Sequence, residues 1–153
     1  MSVNNIHLND LITKWQGILR LKDWDILSKI VEVDWRKSGD IKIDESNKMA
    51  VVMINNNVAE VNLEEVVIHE LIHLKLWGMD QMIEGYVNIV FGENETDGKR
   101  EFAMNTFFKE LESTVEDLTK GYLEVSGGEK PSTLSLERMM KEEIGSCCKT
   151  KVF

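Results

Sequence analysis

Apolar residues recur at helical spacing from Asn9 or Asp10 onward, with Leu11, Ile12, Trp15, Ile18 and Leu19 on one face, and predict a helix to about Arg20. Three short stretches with a different period follow. Residues 30–35 and 40–44 alternate apolar with polar positions on either side of Ser38-Gly39, as a half-buried hairpin does. Residues 48–54 are almost continuously apolar, which suits a strand covered on both faces or one paired along an edge. A small three-stranded antiparallel sheet is the simplest account.

Helical spacing then returns. Asn62 with Glu65 three positions on reads as a capping pair, opening a helix that runs to Trp77 with Gly78 as its left-handed cap. Residues 79–90 read as a second helix, with Met79, Met82, Ile83, Tyr86 and Val90 on one face. Residues 92–98 form a polar loop. Residues 99–121 present Met104, Phe108, Leu111, Val115, Leu118 and Tyr122 as one stripe. Ser126-Gly-Gly-Glu-Lys-Pro131 is a linker, and Leu136, Met139, Met140 and Ile144 outline a short amphipathic helix before the tail. The pattern predicts an α+β domain over residues 1–125, with a C-terminal helical appendage over 126–153. The methionines are assigned to core packing and the four Trp to core or rim packing.

Composition narrows the class. Eighteen basic against 27 acidic residues leave a net charge of −9, and no basic cluster exceeds Lys99-Arg100, which opposes nucleic-acid binding. The most apolar stretch, 66–77, is interrupted by Glu70, His73 and Lys75, so no membrane span and no membrane partner are expected. The first ten residues have neither a basic nor an apolar leader region. Cys147 and Cys148, adjacent near the end, are not a disulfide framework and are read as reduced thiols. A cytoplasmic location is expected.

One constellation carries chemistry: His69-Glu70-Leu71-Ile72-His73. Four helical residues turn through about 40° and rise about 6 Å, so both imidazoles leave one face one turn apart and can share a zinc ion. Glu70 sits about 100° round the helix from His69, badly placed as a ligand and well placed to reach a water on the metal. A catalytic zinc needs a third protein ligand. Leu76 and Met79 stand where a third histidine of the H-E-x-x-H-x-x-G-x-x-H pattern would require Gly and His, so the third ligand is expected to be a carboxylate. The candidates are Asp80, Glu84, Glu101, Glu112 and Glu116. Glu112, beside the apolar stripe and expected to be partly buried, fits best, since a buried carboxylate is costly unless paired or metal-bound.

These residues, with Leu21-Lys-Asp-Trp-Asp-Ile26, the strands before the motif and the run Glu112-Ser-Thr-Val-Glu-Asp-Leu118, resemble the minimal gluzincins. These are compact relatives of thermolysin's catalytic core found in prokaryotes and phages. The resemblance covers roughly Leu8 to Leu123, and residues 79–100 are longer than a minimal version needs. It implies a small zinc metallopeptidase in which His69, His73 and Glu112 bind Zn2+ and Glu70 is general base and acid. It implies a reduced thermolysin-like core, the sheet packed on the motif helix and the downstream glutamate helix. It also implies a peptide or protein substrate bound extended along strand 48–54, and a second acid, Glu116 or Asp117, orienting the first histidine. Oxyanion donors are sought among Tyr86, Tyr122 and Arg100. The tail with Cys147 and Cys148 is read as unremarkable, the alternative being that one of its thiolates reaches the open metal position. The other reading is a non-catalytic acidic interaction module of phage type that keeps a peptidase-like fold and a structural or vestigial zinc site.

Overall fold

The computed structural model describes residues 2–127, with the side chains of residues 60 and 61 left aside. The expected appendage over 126–153, including Cys147 and Cys148, lies almost wholly outside the described residues. The element order is α1 (Asn5–Ile18), β1 (Asp25–Val31), β2 (Gly39–Asp44), β3 (Met49–Asn55), α2 (Glu60–Phe91) and α3 (Gly98–Val125). The α+β class stands.

The sheet departs from the expectation in its pairing. Its order is β1-β3-β2, with β1 parallel to β3 and β2 antiparallel to it, so the sheet is mixed. The first strand spans residues 25–31, and residues 32–38 carry the chain across to the far edge. The alternation at 30–35 is therefore mostly connection. β3, the nearly continuous apolar run, is the middle strand: Ala50, Val52 and Ile54 are buried, and both of its edges are hydrogen-bonded. It cannot accept a further strand along residues 48–54, so the expectation that substrate pairs there is corrected. Among the described residues, β2 is the sheet edge with α2 at its back.

The second departure is in α2, which is one helix of 32 residues, about 48 Å long, where the sequence pattern predicts two. It begins after Ala59, with Asn62 already inside its first turn, and runs through Gly78 and Gly85 without a break. A glycine inside a helix costs only about 1 kcal/mol. The second half is tied to α3 by the Arg100 guanidinium on Asn88 Oδ1 at 2.9 Å, and Val87 in it is buried. The helix stops at Gly92, whose φ of +81° only glycine adopts readily. Asp97 then caps α3, accepting from the backbone N–H groups of Lys99 and Arg100.

The core lies where α1, the sheet and α3 converge on the first half of α2. Leu8, Leu11, Ile12 and Trp15 of α1 meet Val52 and Ile54 of β3, Leu63 to Leu74 of α2, and Val115 and Leu123 of α3. Trp15 and Trp24 are core as expected; Met79 and Met82 are exposed, contrary to the packing role assigned to them. No helix among the described residues is long and apolar enough to cross a membrane.

Candidate metal centre

The i, i+4 spacing on a helix buried by its neighbours places His69 and His73 side by side, their Nε2 atoms 3.2 Å apart and their ring centroids 4.9 Å apart. From α3, which runs back along α2, Glu112 reaches both. Its Oε1 is 3.0 Å from His73 Nε2 and its Oε2 3.6 Å from His69 Nε2. One ligand atom from each of the three lies within 4.8 Å of the others, so His69, His73 and Glu112 form a group able to hold one metal ion. Two imidazole nitrogens and a carboxylate oxygen are donors that first-row divalent ions accept. Asp80, Glu84 and Glu101 are not in this group.

Burial grades across the site. The His69 side chain is 4% exposed, that of His73 18% and that of Glu112 54%. Glu112 is exposed where partial burial is expected from the sequence, so that expectation is corrected: the site has a dry floor at His69 and a wet rim at Glu112. A carboxylate at such a rim can meet an ion arriving from water without first being stripped of solvent.

Glu116, one turn beyond Glu112, resolves the choice of second acid. Its Oε1 lies 3.0 Å from His69 Nδ1, whereas Asp117 is exposed. A carboxylate on Nδ1 favours the tautomer that carries its proton there and turns the Nε2 lone pair toward His73 and Glu112. Glu116→Gln is expected to weaken metal affinity by about 10- to 100-fold with helical content unchanged. Titration against a competing chelator checks this, and unaltered affinity would remove Glu116 from that role.

Charge at the site favours a cation. Burial works against the imidazolium of His73, but the hydrogen bond and charge of Glu112, with the charges of Glu70 and Asp80, outweigh it and hold the pKa of His73 above its ordinary value. Asp80 is itself pushed up, by burial first and then by the neighbouring charge of Glu84. Several carboxylates thus share the space around one imidazole.

Glu70 is 5% exposed and buried between α2 and the start of β2. Gly39 makes that fit possible. A Cβ at position 39 would stand 2.6 Å from Val66 Cγ1, 2.9 Å from Glu70 Oε1 and 3.2 Å from Glu70 Cγ. In the sequence this glycine reads only as a turn residue. A glycine at a strand end also marks close approach by another element, and that is the signal that reveals it. Gly39→Ala is expected to destabilise the chain by about 1–3 kcal/mol, because Val66 is fully buried and cannot yield. Thermal unfolding with and without metal checks this, and an unshifted midpoint would contradict the close fit.

The oxyanion candidates are not brought to the site. Tyr86 lies thirteen residues beyond His73 on the same helix, about 20 Å along the axis, and Arg100 is engaged with Asn88. Tyr122 stacks edge-on against Trp15 at 6.0 Å. No family model, no curated protein and no solved structure matches the chain.

Proposed function

We propose that this chain is a small zinc-dependent peptide hydrolase, with His69, His73 and Glu112 as ligands and Glu70 as general base and acid. The observation that carries this reading is the clustering of ligand atoms from His69, His73 and Glu112 within 4.8 Å of one another. His69 and His73 Nε2 are 3.2 Å apart, with Glu112 Oε1 3.0 Å from His73 and its other oxygen 3.6 Å from His69, all close to the roughly 3.3 Å expected between donors about 2.0–2.1 Å from one tetrahedral zinc. Three protein ligands with a rim open to solvent suit a catalytic site, where a structural one takes four. Zinc held there supplies Lewis acidity, drawing the pKa of water toward 7 and polarising a carbonyl.

The chain's own groups account for the rest. His69 is oriented by Glu116, and Glu112 completes the ligand group from the facing helix. Glu70 follows His69 by one residue, so its carboxylate leaves the helix about 100° away from the ligand face. It takes the proton of the attacking water and delivers it to the departing amine. Its burial against Gly39 and Val66 limits it to few positions, which favours proton transfer over a short, fixed path. An extended peptide can add to the edge of β2, whose first residue is Gly39, through backbone hydrogen bonds.

The test is metal content followed by cleavage of a broad peptide pool, read by mass spectrometry. The zinc-loaded chain is expected to cut, to stop on chelation and to resume on zinc addition. A fully loaded chain that cuts nothing would favour the non-catalytic interaction module instead.

A further inference from the structure

α1 lies along one face of α2. Glu64 accepts from Lys14 Nζ at 2.7 Å and from Trp15 Nε1 at 2.8 Å, and Lys75 Nζ donates to the Arg20 carbonyl at 3.4 Å. α1 stops at Ile18, but the same face of α2 continues for three more turns. Counting 100° per residue from Lys75, Met79, Met82, Tyr86 and Ile89 all fall within about 40° of its direction, and Val90 within about 60°. Their exposures are 62, 47, 59, 84 and 69%. The side packed on α3, carrying Val87 and Asn88, is well round the helix from this stripe.

Three properties of the stripe specify its occupant. The spacing 79, 82, 86, 89 alternates three and four, as the seam of a two-helix coil does. No charged residue stands on it or at the flanking positions 78, 83, 85 and 90, in a chain of net charge −9. Flanking Gly78 and Gly85 present open space where a Cβ would be, so another helix can come close. The seam is also symmetric: 79 and 89, and 82 and 86, are equidistant from residue 84.

We infer that a second copy of this chain covers this face, α2 packing antiparallel to α2 about a two-fold axis at the level of Glu84. Met79 then meets the partner's Ile89 and Met82 meets the partner's Tyr86, the self-complementary pairing that a two-fold interface requires. Taking a large side chain as of order 200 Å² when fully exposed, the five residues offer roughly 600 Å² per copy. Two copies bury about 1,200 Å², the lower bound of a stable specific interface. His69 and His73 project from another side of α2, so the metal centre stays open in the pair.

Sedimentation of the full chain under reducing conditions tests this. The wild type is expected at about 35 kDa, twice its 17.6 kDa, at tens of micromolar. Met82→Glu and Tyr86→Lys, each bringing an unpaired charge into the seam, are expected to weaken association at least 100-fold while leaving helical content and metal uptake unchanged. An equimolar mixture of the two is expected to regain a dimer at least tenfold tighter than either alone, because the carboxylate introduced in one copy would face the ammonium introduced in the other. A monomeric wild type at 100 µM, variants that stay dimeric, or a mixture no tighter than its components would each overturn the antiparallel pair.

Discussion

Glu70→Gln is expected to leave the protein folded and metal-loaded while its peptide hydrolysis falls by about 10²- to 10⁴-fold, the usual contribution of a positioned general base. The exchange is close to isosteric, so the fit against Gly39 and Val66 survives. The amide cannot accept the proton that the carboxylate takes. The measurement pairs cleavage rate with metal stoichiometry on the same sample, since the two separate the possible roles. Unchanged cleavage would place the base elsewhere. Loss of metal together with activity would make Glu70 a structural support of the centre.

His73→Ala removes the nitrogen that stands 3.2 Å from His69 Nε2 and 3.0 Å from Glu112. Metal affinity is expected to fall by more than about 100-fold, beyond the effect of losing an outer partner such as Glu116. Calorimetric or chelator-competition titration reads this directly. The wild type should also show a characteristic pH dependence. The pKa of His73 is raised in the folded, metal-free chain, so its proton stabilises that fold fully below the ordinary imidazole value, and the contribution fades as pH climbs through the raised value. Metal needs the neutral ring. Uptake therefore strengthens over the same climb, and the metal-bound form gains stability where the metal-free form loses it. Uptake that is flat across this interval, or indifferent to His73→Ala, would contradict the ligand assignment.

The two histidines are legible in the sequence because the helical period alone decides that residues four apart share a face. Their helix needs no tertiary information beyond its existence. Glu112 is legible more indirectly, as an acid beside an apolar stripe, and its carboxylate reaches both imidazoles although more than half of it is exposed. Glu116 and Asp117 cannot be separated by counting, since one residue is 100° of rotation and the orientation of α3 against α2 decides between them.

Strand order is illegible for a related reason. Alternation reports which face of a strand is buried and says nothing of which strand lies beside it. The continuous apolar run at 50–54 is compatible with a central strand, and the parallel β1-β3 pairing follows from the crossover of residues 32–38, which carries no local signal. Gly78 misleads because a glycine is a weak stop when the apolar pattern continues on both sides of it. Gly39 acts through a contact 31 residues away in sequence, which no local pattern announces.

The most direct measurement is a crystal structure of the zinc-supplemented protein with diffraction recorded on both sides of the zinc absorption edge. One anomalous peak per chain is expected, with His69 and His73 Nε2 at about 2.0–2.1 Å and a Glu112 oxygen at about 2.0–2.2 Å. An absent peak, or a peak from which Glu112 is turned away, would contradict the three-ligand metal centre.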